Sequence, residues 1–364
     1  MKRDLRLDTF RGLFLVWMAL NHLGGPLHPY LFQSLGFISS AEPFVFISGV
    51  TAGMVYGRIG LHEGVSKLRQ RAFRRGLDIY LFHLAVFVLV IILEWTITTP
   101  MYHTFYVTMN PLPLESPLTA LGLGATLLLQ PGFLDILPMY SLFLLITPLV
   151  INRLKSPGGY GWVFGVSIPV WALTNYTDFW DRLQKFGAQF LPLNLGFFDP
   201  LAWQFLFVAG LFFGFRRAAG MTFPVNKPLI ILSLIVCLGI LPIRYGLISV
   251  LPFGIDPGAL TVRETFGPLR VINMAALAYL VTCLGIRFPN CFEWPFFSFL
   301  GQHSLQVFSF HVALLYLIRP LYGLVIPLGW TAILLFNFLF IGTLAIPAWL
   351  HIRYRVLVER QKPA

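Results

Sequence analysis

The feature that most constrains this chain is a series of apolar stretches, each about as long as a bilayer is thick. A helix crossing about 30 Å of hydrocarbon needs about 20 mostly apolar residues. That ruler finds stretches near 9–27, 36–57, 77–97, 133–152, 160–177, 199–215, 228–248, 268–286, 302–320 and 328–350. Only 11% of the 364 residues are charged and 57% are hydrophobic, too few charges to clothe a water-soluble globule, where about a quarter is usual. The sequence therefore predicts an all-α, polytopic integral membrane helical bundle with about ten transmembrane helices, forming a single membrane domain over 1–364. The stretch 117–130 (PLTALGLGATLLLQ) is short, interrupted by glycine and followed by Pro131, which fits a re-entrant segment better than a crossing.

The net charge of +11 reads as topology rather than nucleic-acid binding, because the cations cluster in short segments between apolar runs. With the N-terminus inside, the cytoplasmic segments collect Lys2, Arg3, Arg6, Arg58, Lys67, Arg69, Arg71, Arg74, Arg75, Arg153, Lys155, Arg216, Arg217, Lys227, Arg287, Arg353, Arg355, Arg360 and Lys362. The outer side holds Arg182, Lys185, Arg244, Arg263, Arg270 and Arg319, so the division is 19 against 6, with Arg11 inside the first stretch. The positive-inside rule then places both termini in the cytoplasm. Counting 117–130 as a full crossing would invert every later loop and turn the RLK and RR clusters outward. Cys237, Cys283 and Cys291 show no CxxC spacing, and neither a disulfide nor a metal site is expected. The first apolar run lacks a small-residue cleavage site and carries Asp8, Arg11 and His22, so it reads as a retained helix rather than a signal peptide.

Ionisable groups in a span are costly unless paired or hydrated, and each is a candidate for function. In LDTFRGLFLVWMALNH, Asp8 and Arg11 are three apart and His22 follows Arg11 by eleven residues. Eleven residues are roughly three turns, about 16 Å, so Arg11 and His22 share a face. That places a cation near one leaflet and a titratable base near the other. The plainer alternative makes Asp8 and Arg11 an interfacial ion pair and His22 a polar cap. Glu42 opens the second stretch in SSAEPFVFISG; it suits a helix N-terminus, or a carboxylate orienting the imidazole of a general base. Asp135 in QPGFLDILPMY is a second candidate orienter, or an acceptor for a substrate hydroxyl. The ninth stretch, FLGQHSLQVFSFH, brings Ser304, with His303 and His311 eight residues apart. A lone membrane histidine is often only a packing residue. The basic loop KLRQRAFRR, with Arg69, Arg71, Arg74 and Arg75, reads as a stop signal against lipid headgroups or as a cradle for an anionic donor.

The ordered set of these motifs resembles the membrane acyltransferase-3 superfamily. The DxxR…His spacing resembles its first helix, and Phe44, Val45, Phe46, Ile47, Ser48 and Gly49 resemble its FFxxSG. Gly301, Ser304 and His311 match its late GxxS…H element. A middle motif of Trp-Ser-Leu, Glu and Pro is matched loosely by LDILPMYSLFLLITP, where Tyr140 fills the Glu position. RLDTFRG, AEPFVFISG, LDILPMY and LGQHSLQVFSFH together are similar to the OpgC-like branch. The resemblance implies O-acylation of a periplasmic glucan at the bacterial inner membrane, with succinyl-CoA as donor and co-substrate and no tightly bound cofactor. Joined to the residue readings above, it suggests catalysis by His22 with Glu42 and Asp135, and donor or substrate contacts from Asp8, Arg11, Arg69, Arg71, Arg74, Arg75, Ser304 and His311. The expected partners are the glucan, the acyl-CoA and membrane lipids, with no nucleic acid. A transporter or flippase for a glycan or lipid-linked intermediate is the alternative, although no inverted repeat is visible.

Overall fold

A computed structural model of the chain describes residues 4–97, 99–109 and 117–360. Lys2, Arg3 and Lys362, which entered the charge count, and most of the NPLPLESP loop lie outside the described residues. Among the described residues the chain is helical with no strand. The principal helices are α1 (Leu5–Leu23), α2 (Ala41–His62), α3 (Val65–Thr96), α4 (Pro100–Met109), α5 (Ile136–Leu154), α6 (Gly159–Thr177) and α7 (Pro200–Ala218). They continue with α8 (Lys227–Arg244), α9 (Pro268–Arg287), α10 (Pro295–Gln302), α11 (Ser304–Val325), α12 (Trp330–Thr343) and α13 (Ala345–Arg360).

Seven segments among the described residues are long and apolar enough to cross a membrane: α2, α3, α5, α8, α9, α11 with its following turn, and α12 running into α13. Helices α1, α6 and α7 occupy the other three expected stretches. The stretch 117–130 forms only the short helix Pro117–Ala125 before a turn. Nine residues rise about 14 Å, half of what a crossing needs. The basic stretch 67–75 is not a loop. It is the opening of α3, a 32-residue helix, because nothing in KLRQRAFRR breaks a helix and the apolar run continues it. The ninth expected stretch opens at the break at His303 between α10 and α11, and the tenth is interrupted at Leu344 between α12 and α13.

Contacts divide the chain into two compact units that interleave along the sequence. The first comprises 1–32, 82–122 and 288–364, and the second 33–81 and 123–287.

In the second unit, α2 and α7 pair backbone to backbone. Gly49 and Gly53 on α2 face Gly210 and Gly214 on α7, and a Cβ at any of the four would collide with a carbonyl of the partner helix. Lipid tails are as apolar as leucine, so membrane helices associate through close packing that small residues permit. GxxxG spacing on both helices removes the side chains that would hold them apart. Gly214→Leu is therefore expected to abolish recovery of monodisperse protein from detergent extracts. Gly239→Leu, on an open face of α8, should be recovered normally in the same size-exclusion assay.

The first unit is organised around a similar close crossing. Gly12 of α1 meets the backbone of Phe297 on α10, and Gly301 of α10 meets the backbone of Asp8. Helix α1 begins at Asp4, whose carboxylate accepts from the Arg6 backbone N–H at 3.1 Å. It ends at Gly24, whose φ of +76° favours glycine and whose N–H donates to the Leu20 carbonyl.

Candidate active site

Four side chains of the first unit link α1 to α11. Near the start of both helices, Arg11 donates from Nη2 to Ser304 Oγ at 2.5 Å. Further along, His22 Nδ1 and His311 Nε2 lie 3.3 Å apart, the rings stacked with centroids 5.5 Å apart and planes 21° from parallel. Early residue meets early and late meets late, so the two helices run in the same direction. From Arg11 to His22 the axial rise is about 16 Å, against about 10 Å from Ser304 to His311. The helices are therefore inclined, and the long arginine side chain spans the slack.

His311 is buried and set edge-on to the Phe308 ring, and its Nδ1 has no hydrogen-bond partner among the described residues. His22 is half-buried at the last turn of α1. Between two neutral imidazoles 3.3 Å apart, one nitrogen must donate and the other accept, so each ring fixes the tautomer of the other. When His311 carries its proton on Nδ1, its Nε2 is the acceptor. His22 then carries its proton on Nδ1 and a lone pair on Nε2. The residue before it, Asn21, has both amide atoms buried with no hydrogen-bond partner among the described residues. Sequence reasoning passed over Asn21, although a polar side chain one residue from an intramembrane histidine was a usable signal.

Asp8 is buried on α1 at the crossing with α10. His303, at the break before α11, packs its Nδ1 2.9 Å from Nδ1 of His351 on α13.

The remaining candidates lie in the second unit. Glu42 is fully buried. Its Oε1 accepts from Arg270 Nη1 at 2.8 Å, and its Oε2 accepts from the Ser39 N–H at 2.9 Å and hydroxyl at 2.6 Å. Where the sequence suggested an imidazole as its partner, the structure supplies a guanidinium and a serine. Arg270, placed by the sequence among the outer-side charges, is buried and also donates to the carbonyls of Phe37 and Thr261. Asn273, one turn later, accepts from the Phe37 N–H at 2.9 Å. Asp135 precedes α5, and its Oδ2 accepts from the Phe197 N–H at 3.0 Å, which ties down the 194–198 loop. In α3, Arg69, Arg71 and Arg74 are exposed and Arg75 half-buried, with Arg71 paired to Glu63 at 2.9 Å.

An all-helical chain with several membrane-length apolar helices and a histidine pair between α1 and α11 defines a multi-pass membrane protein with a buried polar site. The chain belongs to the OpgC protein family, whose model matches residues 3–356. Membership connects it with acyltransferase-type modification of periplasmic glucans. No curated protein and no solved structure matches it.

Proposed function

We propose that the protein is an inner-membrane O-acyltransferase that moves a succinyl group from succinyl-CoA onto hydroxyls of a periplasmic glucan, with ten spans and both termini cytoplasmic. The single observation that carries this reading is the ladder between α1 and α11, with Arg11 and Ser304 at one end and His22 and His311 at the other, in a chain matched almost end to end by its family. Acyl-CoA approaches from the cytoplasm. Arg11 of the first unit suits its phosphates, since guanidinium groups bind phosphate through a planar fork.

His22 acts as the general base. Its Nε2 takes the proton of a glucan hydroxyl as that oxygen attacks the thioester carbonyl, and the C–S bond breaks as the tetrahedral intermediate collapses. The imidazolium then returns its proton to the departing CoA thiolate, so the histidine is unchanged after each cycle. His311 holds the ring in the tautomer that leaves Nε2 available. The buried amide of Asn21 is the donor to the developing oxyanion. Removing one such donor costs about a hundred- to a thousandfold in turnover, so Asn21→Ala is expected to lower kcat by about that factor while KM moves little.

The test uses purified protein in nanodiscs with succinyl-CoA, acetyl-CoA and a neutral β-glucan, reading free CoA and glucan mass. A glucan mass gain of one succinyl unit per CoA released supports the reading. Folded protein that consumes neither donor would sink it and favour transport of the glucan instead.

A further inference from the structure

We propose that Arg319 selects the acyl group by holding the distal carboxylate of a dicarboxylic acyl chain, an inference that rests on the reading of His22 as the base. Arg319 lies on α11, inside the membrane-length apolar segment Ser304–Leu328. A guanidinium within such a segment is costly unless paired or hydrated and is a functional candidate by default. Its Nη2 reaches the end of α1, 3.7 Å from where a Cβ on Gly24 would stand, two residues past His22. The bare backbone of Gly24 leaves that approach open.

The walls around the guanidinium are soft and apolar. Nη1 lies 3.9 Å from the Met109 sulfur, and the guanidinium carbon sits 5.5 Å from the Phe105 ring centroid. An aromatic face steadies a cation, and a low-dielectric wall strengthens the attraction for an anion entering beside it. Long side chains on a helix lean toward its N-terminus, so Arg319 points back along α11 toward the level of His311.

The dimensions suit a four-carbon diacid. In an extended succinyl group the carboxylate carbon lies about 4 Å from the thioester carbonyl carbon, and successive Cα atoms along α1 are about 3.8 Å apart. Two residues rise about 3 Å along a helix axis, so a carbonyl beside His22 puts the carboxylate near the level of Gly24, which the guanidinium approaches. A planar fork of two N–H donors matches the two carboxylate oxygens. A monocarboxylic acyl chain of equal length offers that fork only a methyl group.

The test compares succinyl-CoA with butanoyl-CoA, which has the same chain length and no carboxylate, in wild type, Arg319→Gln and Arg319→Lys. Transfer to a β-glucan is read for each donor, and any donor that is not transferred is measured as a competitor of the other. The preference for succinyl-CoA over butanoyl-CoA is expected to fall about ten- to a hundredfold in Arg319→Gln, as for loss of a hydrogen bond to a charged group, with partial retention in Arg319→Lys. Equal losses with both donors would make Arg319 a packing residue and overturn the proposal, as would an unchanged preference. Wild type that neither transfers nor binds either donor would instead overturn the reading of His22, and the proposal with it.

Discussion

His22→Ala is expected to lower acyl transfer to the glucan at least a thousandfold while the protein still folds and inserts. The imidazole supplies general-base catalysis, worth about a hundred- to ten-thousandfold on its own. Alanine also leaves His311 facing a void, so the geometry around the acyl group degrades with it. His311→Ala should cost less. It removes one buried hydrogen bond and with it the tautomer control, about ten- to a hundredfold in kcat, because the base itself remains. The order of the two losses separates a base with its orienter from two equivalent packing residues, which would give small and similar effects. Comparable chromatographic profiles for both variants would confirm that the loss is chemical. An His22→Ala protein with full activity would remove the mechanism entirely.

A second comparison tells direct transfer from a relay through an acyl-imidazole. If the acyl group were parked on His22, wild type would release one equivalent of CoA without glucan, and the histidine would carry the added mass. In direct transfer, CoA release requires the acceptor hydroxyl. Both outcomes are read from the same reaction mixtures by intact-protein mass spectrometry.

The elements most legible in the sequence were those whose signal is local. Ten apolar runs gave the helices, and a three-turn spacing put Arg11 and His22 on one face of α1. The partners of those residues were less legible. Ser304 and His311 were visible as candidates, but the contact of each with α1 spans about 290 residues of chain, and nothing in local spacing encodes it. The same reason hid Arg270. An arginine near an expected outer loop looks like any other interfacial cation until the fold carries it 228 residues back to Glu42. GxxxG spacing at Gly49–Gly53 and Gly210–Gly214 was readable on each helix separately, but not the fact that one motif is the partner of the other. The helical state of 67–75 was hidden for a different reason: a ruler of apolar length passes over a basic stretch, although arginine, lysine and glutamine are good helix formers.

The buried pair Glu42–Arg270 gives the other large expected effect, and it also decides what Glu42 does. Both side chains are out of water, so removing one partner strands an uncompensated charge, at a cost of about 3–5 kcal/mol. Arg270→Met should therefore lower the melting temperature of the detergent-solubilised protein sharply, and Glu42→Ala should do nearly the same. The double variant Glu42→Ala/Arg270→Met strands no charge, and it is expected to recover most of that stability, because replacing a whole buried pair by apolar groups is often close to neutral. Activity in the double variant then carries the decision. If Glu42 serves only to anchor the start of α2 to α9 through Arg270, transfer returns along with stability. If Glu42 orients the His22 imidazole, as its place in the sequence suggested, the double variant melts normally and stays inactive. We expect the first outcome. Oε1 is taken by a guanidinium and Oε2 by two donors from Ser39, which fixes the carboxylate in one orientation, while the imidazole of His22 already has His311 to set its tautomer.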